Sequence, residues 1–141
     1  MRIKLQLIMC NDQGDEETVT DVITLNKNNQ RIEHLGLTLA ESKQLLSTLQ
    51  RHLLQQQINT LLDTRSTCPD CRTPLKLKAR SRRWFRTLFG TFQFDSPRLE
   101  HCDCTRHKTA SFRPLSALLT ESVAPELRTW KPSGPLWCPM V

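Results

Sequence analysis

Two pairs of cysteines, Cys68 with Cys71 and Cys102 with Cys104, stand 30 residues apart, and no other feature limits the fold as strongly. The first pair lies in "STCPDCRTP", the second in "LEHCDC". A Cys-x2-Cys pair can grip a metal, shuttle electrons or close a disulfide. A redox pair of the thioredoxin kind needs a βαβ setting with the pair at a helix start. Cys71 is succeeded by "RTPLKLKARSRRW", where Pro74 and the alternation argue against a helix. A structural disulfide needs an oxidising compartment. Two close pairs flanking a strand-rich, turn-rich segment read best as a zinc ribbon. Each pair forms a short knuckle presenting two thiolates, and a hairpin between them brings the knuckles together. Tetrahedral zinc then ties a region too small to hold itself. The ligands expected are Cys68, Cys71, Cys102 and Cys104. The one-residue gap of the second pair is tight, and His101 and His107 flank it as alternates for the fourth position. Cys10 and Cys138 read as free thiols.

The surroundings of the pairs are basic. Residues 65–113 carry twelve Lys/Arg against four Asp/Glu, whereas residues 1–64 carry six against eight. From Arg72 to Phe94 there are seven Lys/Arg and no acid, interleaved with Trp84, Phe85, Phe89, Phe92 and Phe94. A basic strand face over an aromatic mini-core would suit a small ribbon whatever its task. It also suits duplex DNA, because such side chains neutralise phosphates without regard to sequence. The candidate DNA contacts are Arg72, Lys76, Lys78, Arg80, Arg82, Arg83, Arg86 and Arg98. No phosphate-cradling glycine loop, nucleophile elbow or carboxylate set suggests catalysis.

The rest of the chain is an α+β arrangement. "RIKLQLIM" and "TVTDVITL", joined by the acidic turn "CNDQGDEE", predict a β-hairpin. Imperfect alternation in the second strand allows a bulge or a slip. Residues 38–63 predict a long helix, with Thr38 and Glu41 forming a capping box. Leu39, Leu46, Leu49 and Leu53 mark a candidate coiled-coil seam for a homodimer, interrupted by Ser42 and Gln56. Short strands are expected at 75–79, 84–89 and 91–95, punctuated by Pro69, Pro74, Gly90 and Pro97. One short helix is expected within 111–127, broken near Pro125. The tail "TWKPSGPLWCPMV" should form no regular structure. The expected divisions are therefore 1–64 (hairpin and helix), 65–110 (zinc-ribbon-like DNA-binding module), 111–128 (short helix) and 129–141 (irregular). "MRIKLQLIMCNDQGDEE" lacks the apolar run of a signal or a membrane span, so no membrane association and a cytoplasmic, nucleoid-associated location are expected.

The segments "TCPDCRTPL", "RTLFGTFQFDSPRLEHCDC" and "SFRPLSALLTESVAPEL" resemble the N-terminal part of bacterial insertion-sequence transposases of the Kra type. The upstream "LGLTLAESKQLLSTLQRHLLQQQ" is similar as well, so the resemblance covers residues 1 to about 128. It implies a region that binds transposon ends, followed in such proteins by an RNase H-type catalytic domain using acidic residues and divalent metal. It maps the metal ligands onto Cys68, Cys71, Cys102 and Cys104. The family commonly has glycine after the first knuckle, where this chain has Arg72, so a positive φ there would strain the arginine. The tail also departs. Back-translated and read one base earlier, "TWKPSGPLWCPMV" becomes "LETKWASLVPYG", the continuation expected of the family. The expectation is an out-of-frame tail, and a DNA-binding fragment without catalytic activity of its own. Catalysis in trans, as half of a two-frame enzyme, is a further option. A coiled-coil adaptor carrying a structural zinc ribbon is the alternative from another functional class.

Overall fold

A computed structural model describes residues 1–27, 31–104 and 110–129. The chain divides into two compact units, Met1–Gln56 and Gln57–Val141.

The first unit opens with strands β1 (Arg2–Cys10) and β2 (Glu16–Asn26), paired antiparallel. Their turn is built by Asn11, whose Oδ1 accepts hydrogen bonds from the backbone N–H groups of Gln13 and Asp15. Gly14 takes φ +90°, a conformation that costs glycine little. The irregularity of the second strand is a bulge. Leu5 faces Ile23 and Gln6 faces Asp21, leaving Val22 as the extra residue. Ile3, Leu5, Leu7 and Met9 share the covered side of β1, and Ile23 and Leu25 are buried on β2. A 3-10 turn at Ile32–His34 precedes helix α1 (Leu39–Arg65).

The capping box of α1 is formed in both directions. The Glu41 backbone N–H donates to Thr38 Oγ1 at 3.2 Å, and the Thr38 N–H donates to Glu41 Oε2 at 2.7 Å. Glu41 also pairs with the ammonium of Lys27, a lysine only 8% exposed. Burying an ammonium is unfavourable unless it is paired, and Glu41 supplies the partner.

In the second unit, β3 (Leu77–Thr87), β4 (Gly90–Glu100) and β5 (Ser111–Phe112) form an antiparallel sheet in the order β3-β4-β5. The three short strands expected from the sequence are thus two long ones joined by a tight turn at Leu88 and Phe89. The Thr87 hydroxyl accepts from the Phe89 N–H at 3.1 Å there. Pro97 lies inside β4 instead of ending it. β5 pairs with Leu99 and Glu100, so among the described residues β4 has no strand partner on that side of Pro97, where a missing N–H is tolerated.

The helix expected before Pro125 is absent. Residues 114–118 form turns, and α2 (Pro125–Thr129) begins at the proline expected to break it. Proline favours the first helical position, where its lost donor would have no partner in any case. Leu115 (1% exposed), Phe92, Phe94, Leu99 and Ala124 are buried in this unit. Among the described residues no helix is long and apolar enough to cross a membrane. The tail from Trp130 lies outside the described residues.

Candidate metal centre and basic strand face

The first cysteine pair sits on a closed loop. Leu75 N–H donates to Ser66 O, Cys68 N–H to Thr73 O, and Arg72 N–H to Cys68 O, at 2.8–2.9 Å. These bonds turn the backbone so that Cys68 is buried and Cys71 faces outward. The turn requires φ +58° at Arg72, the strained geometry expected at that position.

The second pair arrives through the hairpin. The β3–β4 register ends at Leu77 opposite Leu99, and Glu100 N–H then donates to Lys76 O at 2.9 Å. The chains beyond this point carry the two pairs into contact. Cys68 Sγ lies 3.5 Å from Cys104 Sγ, and Cys71 Sγ lies 3.3 Å from Cys102 Sγ. All four sulfurs fall within 4.8 Å of one another. A disulfide would hold two of them at about 2.0 Å. Four thiolates at about 2.3 Å from a central ion would stand about 3.8 Å apart, inside the range found here. The four cysteines therefore form a cluster that can bind a metal. His101 stands outside this quartet, half-buried and stacked on Phe112 with ring centroids 4.6 Å apart. His107, the other alternate, lies outside the described residues. Cys10 is exposed, and Cys138 lies outside the described residues.

The thiols are not equivalent. Hydrogen bonds from the side chain and backbone of Thr73 hold Cys71 down to about 6, from an ordinary 9.0, with Cys102 and Cys104 adding to the effect. For Cys102 the backbone of Cys104 favours the thiolate most, but hydrogen bonding to Cys71 and Cys68, together with burial, outweighs it and raises the thiol. The two thiols in contact are thus shifted in opposite directions, as expected where two sulfurs share negative charge. Sequence reasoning missed Thr73. Its only signal is its place two residues after Cys71, at the close of the loop.

Cross-strand pairing sorts the basic residues. Arg80, Arg82, Trp84 and Arg86 alternate along β3 and pair with Pro97, Asp95, Gln93 and Thr91 on one face of the hairpin. All four are exposed, Trp84 at 56%. The other face carries Ser81, Phe85, Phe92, Phe94 and Ser96, of which Phe92, Phe94 and Ser96 are buried. Arg83 belongs to that second face, opposite Phe94, and so departs from the other strand arginines. The aromatic residues divide as well: Trp84 and Phe89 stay exposed while Phe92 and Phe94 enter the core. Arg98 is engaged, its Nε donating to Ser111 Oγ at 2.8 Å. Lys78 is the extra residue of a bulge between Leu77 and Ala79; like Lys76 and Arg72, it is exposed. Among the described residues no ion pair involves Arg80, Arg82 or Arg86.

The chain matches no protein-family model, no curated protein and no solved structure.

Proposed function

We propose that this chain binds duplex DNA through the exposed face of β3, on a zinc-ribbon-like module held by Cys68, Cys71, Cys102 and Cys104. The observation that carries the reading is the row Arg80, Arg82, Trp84, Arg86. It gives three guanidinium groups, without an ion pair among the described residues, on one face of a hairpin whose open end is the thiol cluster. Successive members of the row are about 6.8 Å apart along a strand. Guanidinium groups suit phosphate oxygens, and a two-stranded ribbon fits a major groove. A four-sulfur tetrahedral set selects zinc or iron. Zinc suits a structural role: bound to the four thiolates, it would neutralise their charge and fix the hairpin's open end. The resemblance to Kra-type transposases supports transposon ends as the duplex bound.

The test is salt dependence. Each phosphate contact contributes about −0.9 to the slope of log K against log salt. Replacing Arg80, Arg82 and Arg86 together by Ala should make the slope shallower by up to about 2.7, three such contacts, while Arg51→Ala on α1 leaves it unchanged. Equal slopes for parent and triple variant would sink the reading. Metal analysis of the same preparation should find zinc; iron, seen by its visible absorption, would overturn that assignment.

A second reading, a coiled-coil adaptor, has one observation in its favour. Leu39, Leu46 and Leu53, spaced by seven, are 56%, 42% and 39% exposed.

A further inference from the structure

The sheet of the second unit carries a hollow of about 230 Å³ on the face that holds Arg83, Phe94 and Ser96, opposite the basic row. It lies along the outer edge of β3. There the segment after β5 returns to the strand, Arg86 N–H donating to Ser122 O and Ala124 N–H to Arg86 O, both at 2.8 Å. In an antiparallel ladder the backbone groups of alternate residues point the same way. The N–H of Trp84, two residues before Arg86, therefore also faces this edge. The lining includes Arg83, Trp84, Arg113, Leu115, Thr120 and Ser122. Leu115 is fully buried, Arg113 is half-buried, and Thr120 and Ser122 carry hydroxyls.

Two guanidinium groups thus line one small hollow. Among the described residues neither Arg83 nor Arg113 has a side-chain hydrogen bond or an ion pair. Glu121 also borders the hollow, but its carboxylate is paired with Arg128. Among the described residues no unpaired carboxylate lines the hollow, so an anion there would meet two guanidinium groups and supply the counter-charge they lack. The volume falls below the ~300–1,000 Å³ of sites for drug-sized ligands, so the occupant is small. Forked guanidinium donors, an outward N–H and hydroxyls match the oxygens of a phosphate.

We infer that the hollow between β3 and residues 113–122 is a phosphate-binding site, with Arg83 and Arg113 as its charged donors. It is separate from the row on the other face, and it takes the terminal phosphate of a nucleic-acid strand. The strand-end part rests on the proposed DNA binding; the phosphate part does not.

The experiment uses the full metal-loaded chain at constant ionic strength. Calorimetry with inorganic phosphate against chloride should show phosphate-specific binding, weakened about tenfold or more in Arg83→Gln and in Arg113→Gln, but not in Arg51→Gln. A 5′-phosphorylated single-stranded oligodeoxynucleotide should bind about tenfold tighter than its unphosphorylated form, with the difference lost in both variants. Arg83 is an exposed strand residue, so its variant keeps the test valid if Arg113→Gln fails to fold. No phosphate-specific heat, or heat unchanged in Arg83→Gln, overturns the inference even if duplex binding is intact. Phosphate binding in a chain that ignores duplex DNA would support the site and defeat the reading of the β3 face. Phosphate binding without any 5′-phosphate effect would assign the site to free phosphate.

Discussion

Arg72 shows how one residue can oppose the structure it completes. Its amide closes the loop on Cys68 O, yet its φ of +58° crowds a Cβ that glycine lacks. A non-glycine residue in this region costs roughly 1–2 kcal/mol, partly offset by the greater chain entropy that glycine loses on folding. Arg72→Gly should therefore stabilise the metal-loaded second unit by up to about 1 kcal/mol, read as a rise in thermal midpoint. A fall in midpoint would mean that the arginine side chain contributes more than its backbone costs. This strain was legible from the sequence because the resemblance placed glycine there. The sorting of Arg83 away from Arg80, Arg82 and Arg86 was not. A run of basic residues shows the charge of a strand, but its faces depend on the register with β4, which a turn two residues long sets at Leu88 and Phe89.

At the scale of the element, α1 begins where Thr38 and Glu41 place it, because a capping box is a local bond between residues three apart. The Lys27 ammonium was invisible as a partner, since only the return of β2 brings it there. The Lys27 bond, then the Thr38 backbone N–H, hold the Glu41 carboxyl down to about 2 from 4.5. A depressed acid stabilises the fold fully above its unfolded value and loses that contribution as pH falls through the folded one. The first unit should thus weaken between about pH 4.5 and 2, and Glu41→Gln should be less stable at pH 7 with a flatter profile across that window. Parallel profiles would show that the pair has no net effect. The exposed leucines of α1 supply another test. If Leu39, Leu46 and Leu53 form a seam, sedimentation should show a dimer that Leu46→Ser with Leu53→Ser converts to monomer. A parent that is monomeric at high concentration removes the adaptor reading. The short helix was misplaced for a reason at this scale too. Pro125 reads as a stop, but proline starts helices as readily as it ends them.

For the whole molecule, the cysteine spacing carried the most information. Two pairs 30 residues apart require a returning chain between them, and β3 and β4 are that return. The hollow at the β3 edge had no such signal, because Arg83 and Arg113 are brought to it by long-range pairing, β5 against β4 and the bridge of Arg86 with Val123. The division into two units leads to a selective expectation for metal removal. A chelator, or Cys68→Ser, should unfold Ser66–Cys104 while the amides of the β1–β2 ladder stay protected from hydrogen exchange. Loss of protection in both units together would show that they fold as one. Survival of the β3–β4 ladder in chelator would show that the sheet needs no ion.

β3 has a further side to it. Among the described residues it is the outermost strand of its sheet, and the bridge at Arg86 covers one position along that rim. Uncovered rims of this kind invite a second chain to add itself, strand upon strand, toward aggregation. Arginines at alternate positions oppose this: a like strand laid alongside would set cation against cation, with no acid in β3 to relieve it. The charge on which the proposed DNA binding rests would thus also keep copies of the protein apart, and a sequence relieved of it would gain a sticky edge.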